Sequence, residues 1–444
     1  MRGLLIAAPA SGQGKTTVTL GLLRGLRDRG VTVASAKSGP DYIDPAFHAA
    51  ATGRPCVTLD AWASAPDHLR GRAAMHAVWA DTPIEGSLAS PGSAEVLIVE
   101  GAMGAFDGAI SRTGPGKGSA AEVAAALGIP MVLVIDVSHM AQSAGALVAG
   151  LFDWAKAAGT SLAGVILNRV GSQKHAAMVS SAIKSTCPVF GAIPRTPDLA
   201  VPSRHLGLVQ ASEARDLERL ITKAASLIAE NCDLDAILKT AATIGDGAPS
   251  RIPPLGQRIA VAQDQAFSFA YWHMLQDWRD QGAEILPFSP LADQGPASTA
   301  DAIFLPGGYP ELHAGTLADA AEFKRGMQNA AERDVLIYGE CGGYMVLGDG
   351  LITEGGARHR MLGLLRLETS FEQRRLHLGY RTLNIGSGPW TGAAKAHEFH
   401  YTATVDAEGD PMGSACDAAE QDLGPVGLRS GNVSGSFCHV IETA

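Results

Sequence analysis

The run Gly339-Glu340-Cys341-Gly342-Gly343 gathers residue types that can do covalent chemistry. It lies between an apolar stretch, 335–338, that reads as a buried strand and a stretch, 344–347, that reads as the start of a helix. A cysteine flanked by glycines at a sharp strand-to-helix turn is a nucleophile elbow, here of the form G-x-C-x-G. The glycines permit the strained turn, and the free N–H groups and dipole of the new helix favour a thiolate. Cys341 is therefore the candidate nucleophile. It needs a base and donors for an oxyanion. The N–H of Gly342 follows it directly, and the loop Leu305-Pro306-Gly307-Gly308-Tyr309-Pro310 offers more backbone donors, Gly308 among them. His439 is the best candidate base, with His397 and His400 in competition. Their i, i+3 spacing resembles a metal motif only superficially, because H-E-x-x-H is absent.

A second, independent chemistry is written at the other end of the chain. A short apolar strand, 4–8, runs into Pro9-Ala10-Ser11-Gly12-Gln13-Gly14-Lys15-Thr16-Thr17 and then into an apolar-periodic helix. This is the strand–loop–helix setting of a phosphate-binding loop. Backbone N–H groups from Gly12 through Gln13 and Gly14 to Lys15 would cradle phosphate oxygens at the helix N-terminus. Lys15 would reach the terminal phosphates, the Thr16 hydroxyl would hold Mg²⁺, and Thr17 completes the nucleotide-binding set. Pro9 replaces the first glycine of the usual pattern. Two acids, Asp41 and Glu100, stand where further strands should end, where parallel sheets bind ligands. Both can give Mg²⁺ the oxygen ligands it requires, and Lys37 can offset charge on a transferred phosphoryl group. Asp107, close to Glu100 in sequence, reads as a turn cap.

The elements that must position these groups alternate in type. Strands are expected at 31–36, 96–99, 131–137, 164–167 and 189–193, and a helix over 17–29 stopped by Gly30. Residues 214–242 have helical spacing and would close the first domain. The Gly- and Pro-rich run 245–256 reads as a linker, after which strands recur at 258–262, 284–287, 302–305 and 335–338. The expected division is 1–244, a linker at 245–256, and 257–444. Both halves read as α/β, with parallel sheets flanked by helices.

Composition bounds the partners. A chain of 444 residues with 46% apolar and 18% charged content reads as a soluble globular enzyme of two or three domains. A formal net charge of −10 argues against nonspecific nucleic-acid binding. No apolar stretch reaches membrane-spanning length, and the first apolar run is too short for a signal peptide. Six scattered cysteines without a C-x-x-C pair fit free thiols in a reducing cytoplasm.

Taken together, these motifs resemble the cobyrinic acid a,c-diamide synthase family, whose aerobic-pathway members act on hydrogenobyrinic acid. The likeness spans nearly the whole chain. It includes APASGQGKTTVTLGLLRGL at the start, KSGPDYIDPAFHAAATGRP from Lys37, EGAMGAFDG from Glu100, RHLGLV from Arg204, LPGGYPELHA from Leu305, ECGGYMVLG from Glu340 and HEFHYT from His397. GPDYIDP and GGYPELH are its most discriminating blocks. The resemblance implies a dethiobiotin-synthetase-like P-loop domain joined to a class I glutamine amidotransferase domain with a flavodoxin-like sheet. It assigns ATP to the phosphate loop and Lys37, and Mg²⁺ to Thr16, Asp41 and Glu100. Asp41, Tyr42 and Asp44 fall in the block tied to tetrapyrrole carboxylate recognition. Cys341 becomes the glutaminase nucleophile and His439 its base. Many class I amidotransferases carry a Glu two residues after that His; here the position is Ile441, so a Cys–His dyad is implied. The implied reaction amidates the a and c acetate groups of hydrogenobyrinic or cobyrinic acid with ammonia from L-glutamine, by way of an acyl phosphate. Nickel-sirohydrochlorin as substrate stays open, as does a nonenzymatic ATP-dependent switch. Related synthetase domains pair, so a homodimer is a further expectation.

Overall fold

Apolar runs such as Leu4-Leu5-Ile6 and Val132-Leu133-Val134-Ile135 are buried on both faces, as central strands of a parallel sheet must be. The computed structural model describes residues 1–79, 93–110, 117–196 and 216–443. It divides into two units, Met1–Ser250 and Arg251–Ala444. The RHLGLV block at 204–209 lies outside the described residues.

The first unit runs β1 (Arg2–Ala7), α1 (Lys15–Asp28), β2 (Val33–Ser38), α2 (Asp44–Thr52), β3 (Cys56–Leu59), α3 (Pro66–Trp79), β4 (Val96–Glu100), α4 (Ala120–Leu127), β5 (Met131–Asp136), α5 (Ser143–Ala157), β6 (Leu162–Val170), α6 (Gln173–Ile183) and β7 (Val189–Pro194). It closes with α7 (Leu217–Asn231), α8 (Leu234–Lys239) and β8 (Ala242–Thr243). The sheet order is β3-β2-β4-β1-β5-β6-β7, all parallel, and β8 adds antiparallel to the start of β1. The carboxyl ends of β1, β2 and β4 therefore lie side by side, and the loops that follow them meet.

Helix α1 packs on α7 because Gly21 has no side chain. A Cβ there would fall 2.5 Å from Ile228 Cγ1 and 2.6 Å from the Ala224 carbonyl oxygen. The stretch with helical spacing, 214–242, forms two helices rather than one. Cys232 turns extended, Asp233 caps a new helix by accepting from the Ala236 N–H at 2.9 Å, and the chain then returns to the sheet as β8. Asp233 is an N-cap residue, whose side chain competes with the helix backbone.

The expected linker is tied down at both ends. Arg70 donates to the Asp246 carbonyl at 2.9 Å and Asp67 accepts from the Ala248 N–H at 3.1 Å, within the first unit. Within the second, Asp277 accepts from the Ile252 N–H at 3.2 Å and Trp390 donates to the Pro253 carbonyl at 2.7 Å.

The second unit begins β9 (Arg258–Ala262), α9 (Trp272–Asp280), β10 (Glu284–Phe288), β11 (Ala302–Leu305), α10 (Ala314–Asp319), α11 (Ala321–Glu332), β12 (Leu336–Glu340) and α12 (Gly342–Leu347). Short strands follow: β13 (Gly350–Ile352), β14 (Arg358–Arg360), β15 (Arg366–Ser370), β16 (His377–Ile385), β17 (Gly392–His400), β18 (Ala403–Glu408), β19 (Gly413–Asp417), β20 (Asp422–Val426), β21 (Leu428–Ser430), β22 (Val433–Ser436) and β23 (Cys438–Thr443). The main sheet has the order β10-β9-β11-β12-β22-β21, parallel except for β21. Counting its parallel strands along the chain gives 2-1-3-4-5, the flavodoxin-like order. Two smaller sheets, β14-β13-β15-β18 and β20-β19-β16-β17-β23, complete the unit.

Candidate active site

In the first unit the loop after β1 turns on two glycines with positive φ, Gly12 at 77° and Gly14 at 88°. Gly14 caps α1 without a side-chain hydrogen bond. A Cβ on Gly14 would meet Asn168 Nδ2 at 2.3 Å, so glycine is required twice over. Asn168 donates to the Gln13 carbonyl at 2.8 Å, and the Gln13 side chain accepts from the Asp136 N–H at 2.8 Å. Gln13 thus braces the loop from β5 and β6. The Lys15 ammonium donates to the carbonyls of Ala10 and Met103. Burial lowers its pKa.

Beside this loop lies a buried charge network. Glu100, at the end of β4, accepts from the Thr16 hydroxyl at 2.7 Å and from Lys37 at 2.9 Å on one oxygen, while His48 sits 2.7 Å from the other. Lys37 also pairs with Asp44 and lies 3.7 Å from Asp41. Burial opposes charge on Lys37, but Asp44 and Glu100, with Asp41 behind them, raise its pKa well above the ordinary lysine value. Burial likewise opposes charge on Glu100, yet Lys37 and His48 hold its carboxyl far below the usual range. Asp44 is pushed up to about 7 by burial and by the nearby Asp41 charge.

Asp41 spends one oxygen on the N–H groups of Ile43 and Asp44, at 2.8 and 3.1 Å, and so fixes the start of α2. Its other oxygen faces Lys37. One oxygen of Asp44 is buried without a hydrogen bond. A hydroxyl, several carboxylate oxygens and one orphaned buried oxygen form a hard-donor set, and such a set fits Mg²⁺.

These groups line one pocket of about 930 Å³ that includes Gly12, Gly14, Lys15, Thr16, Thr17, Lys37, Asp41, Asp44 and Glu100. Tyr42 is buried beside them on the backbone but does not line it. Asp107 accepts from the Gly104 N–H at 2.9 Å, the turn-capping role expected of it. Sequence reasoning missed His48, Asn168 and Arg169. Arg169 also lines the pocket, pairs with Asp136 and donates to the Gly12 carbonyl at 3.1 Å. His48 stands one helical turn after Asp44 on α2, a weak signal that only the contact with Glu100 makes legible.

In the second unit, Cys341 takes φ 48° and ψ −106° between β12 and α12, a conformation rarely tolerated outside glycine. Its N–H donates to the Ser436 carbonyl at 2.9 Å, which pins the elbow to β22. The glycines around it are forced by close approach. A Cβ on Gly343 would lie 2.0 Å from the Leu305 carbonyl oxygen, and one on Gly308 would lie 2.0 Å from that of Ala266. One on Gly342 would lie 3.0 Å from the Gly308 nitrogen, so the two expected oxyanion donors are neighbours. One on Gly307 would lie 2.3 Å from His439 Cε1, 3.0 Å from His439 Nε2 and 3.2 Å from Cys341 Cβ. Gly307 is therefore the shared wall of Cys341 and His439.

The surroundings of Cys341 oppose the thiolate that the helix dipole favours. Burial, reinforced by the negative Glu311, pushes the Cys341 thiol far up, and the Gly342 N–H offsets this only in part. With six residues, α12 is too short to compensate. A base is needed. His439 is fully buried and burial pulls it down to about 3, with His397 and His400 adding to the effect while the Phe269 carbonyl opposes it. Its Nδ1 lies 3.7 Å from Glu340 Oε2. Burial pushes Glu340 up to about 8.

His397 pairs in register with His439 across β17 and β23. His377, Glu398 and His400 present atoms within 4.8 Å of one another. Arg381 already donates to Glu398 at 2.7 Å, and the two imidazoles stack at 4.6 Å with a 7° interplanar angle. Parallel rings do not converge their lone pairs on one ion.

A phosphate loop backed by hard oxygen donors, and a cysteine elbow on a flavodoxin-like sheet, define an ATP-using ligase with a glutamine amidotransferase half. Comparisons with known proteins agree on both parts. Residues 4–209 match the CobQ/CobB/MinD/ParA nucleotide binding domain, and residues 258–444 match the CobB/CobQ-like glutamine amidotransferase domain. A hydrogenobyrinate a,c-diamide synthase of Sinorhizobium sp. is 52% identical, the match covering 100% of this chain and 99% of that one. Enzymes of the same name from Brucella abortus, 50% identical over 100% and 99%, and Rhodobacter capsulatus, 48% identical over 99% and 98%, align as fully. The chain belongs to the hydrogenobyrinate a,c-diamide synthase family.

Proposed function

We infer that the protein amidates the a and c acetate carboxylates of hydrogenobyrinic acid, using ATP and glutamine. The observation that carries this reading is the end-to-end match, 52% identical, to a protein that bears that activity in its name. The site geometry supports it. Backbone N–H groups of Gly12, Gln13 and Gly14 would bind ATP phosphates, which would also replace the carbonyls of Ala10 and Met103 as partners of Lys15. Thr16, Asp41 and Glu100 would hold Mg²⁺, which when bound offsets phosphate charge. Lys37 would stabilise the phosphoryl group as it passes to a substrate carboxylate, giving ADP and an acyl phosphate. Asp41 and Asp44 line the pocket where that carboxylate would lie, and Tyr42, between them in sequence, is buried behind it.

At the other site His439 would take the Cys341 proton as sulfur attacks the glutamine amide carbon. The N–H groups of Gly342 and Gly308 would hold the oxyanion. Collapse of that intermediate returns the proton to the leaving nitrogen, releases ammonia and leaves a thioester that water cleaves to glutamate. Ammonia then displaces phosphate from the acyl phosphate, and the amide forms. The cycle repeats on the second carboxylate.

Mass spectrometry tests the reading. Hydrogenobyrinic acid incubated with Mg-ATP and glutamine should gain two amides, and Cys341→Ala should make that product only when ammonia replaces glutamine. No mass change with hydrogenobyrinic acid, but two amides on cobyrinic acid or nickel-sirohydrochlorin, would move the substrate assignment. No change on any of the three would reject the ligase reading.

A further inference from the structure

We propose that Glu340 is the positioning residue of the glutamine site, holding His439 by Nδ1 so that the other ring nitrogen serves Cys341. This rests on the reading of Cys341 and His439 as the glutaminase pair. The carboxylate that usually orients such a base follows it in sequence, but Ile441 occupies that position here. The acid beside Nδ1 comes instead from β12, immediately before the nucleophile.

Three observations fix its geometry. Glu340 Oε1 accepts from the Val440 N–H at 3.0 Å, and Val440 is the residue directly after His439. The same oxygen accepts from the Tyr338 hydroxyl at 3.2 Å. Tyr338 is itself wedged between Phe304 and Trp390, with ring centroids 6.0 and 5.3 Å away. Oε2 is thereby turned toward Nδ1 but stands 3.7 Å away, beyond hydrogen-bond reach, so the ring must close that gap for the bond to form. The far side of the ring, Cε1 and Nε2, abuts Gly307, which also borders Cys341. The imidazole thus lies with Glu340 at one nitrogen and the nucleophile's wall at the other.

The chemistry follows from tautomers. A neutral imidazole carries one proton, and an acceptor at Nδ1 keeps it there, which leaves the Nε2 lone pair to remove the thiol proton. This needs Glu340 ionised, and because burial pushes it up to about 8 the role sets in as pH rises through that value; the carboxylate then stabilises the imidazolium once the thiol proton has moved. Glutamine at position 340 would keep its shape and both bonds, because the Val440 N–H and the Tyr338 hydroxyl require the amide oxygen. The amide NH₂ would then face Nδ1 and force the proton onto Nε2, the wrong tautomer for a base.

The test compares Glu340→Gln, Glu340→Asp and Cys341→Ala in the full-length protein. For Glu340→Gln we expect glutamine-dependent kcat to fall at least about 100-fold, with KM for glutamine, ammonia-dependent amidation and thermal midpoint little changed. Glu340→Asp should recover about tenfold over Glu340→Gln, since it restores charge. Nitrogen NMR of His439 should move the proton from Nδ1 to Nε2 in Glu340→Gln. If the Phe269 carbonyl alone sets the ring, tautomer and kcat will both stay as they are, and the proposal fails. It also fails if ammonia-dependent amidation and the thermal midpoint fall along with kcat, because Glu340 would then be structural. Glutamine-dependent turnover that survives Cys341→Ala would instead remove the reading on which the proposal stands.

Discussion

Two residues outside the reacting groups show how tightly single positions are held. Gly307 has no side chain, and its carbonyl only accepts from the Phe269 N–H, yet a methyl there would overlap His439 at 2.3 Å. Gly307→Ala should therefore cut glutamine-dependent amidation about 100-fold, in the range lost when one oxyanion donor is removed, and leave ammonia-dependent amidation intact in parallel assays. His76, on α3, is fully buried with Nε2 3.0 Å from the Ser35 carbonyl, and burial, with help from Arg54, pulls its pKa down to about 4. Its folded pKa lies below its unfolded value, so between the two the unfolded chain binds more protons. Stability should fall as pH drops from about 6.5 toward 4, by up to about 3 kcal/mol for this group. Urea melts across that interval should show the slope, and His76→Gln should flatten it. A melt independent of pH there would contradict the buried neutral state.

At the scale of elements, the α1–α7 contact depends on one small residue. Gly21→Val should overpack against Ile228 and Ala224 and cost about 1–3 kcal/mol, read as a lower urea midpoint. Such packing also explains what the sequence made legible. The phosphate loop and the cysteine elbow are local, so glycine spacing beside a lysine or a cysteine reveals them without any tertiary information. Glu340 shows the opposite case. It sits inside the elbow motif, but the role proposed for it depends on Val440 and His439, which come from β23 a hundred residues later. His48 was invisible for the same reason, since its partner Glu100 lies 52 residues away. The strands β13 to β20 escaped detection because some are short and others mix polar with apolar residues; β13 has three residues, β18 reads ATVDAE and β20 holds a proline. The helical spacing of 214–242 was correctly read in part, but periodicity cannot see the cap at Asp233 that restarts the helix.

Across the whole molecule, six free thiols are distributed so that five are buried and only Cys416 is partly exposed. Among the buried ones is Cys341, the proposed nucleophile, 4% exposed and strongly disfavoured as a thiolate. Thiol reagents attack thiolates that they can reach. Iodoacetamide should therefore mark Cys416 first and Cys341 slowly, as peptide mapping after brief exposure would reveal. Rapid labelling of Cys341 in the resting protein would mean that the elbow is open. The same burial carries a consequence for oxidative stress. A peroxide that converts accessible sulfur to sulfenic acid meets a decoy before it meets the engine, so activity should outlast the first oxidation events. An electrophile shaped like glutamine, by contrast, should label Cys341 faster than iodoacetamide does if this is the glutamine site, so selectivity for this cysteine would come from recognition rather than intrinsic reactivity.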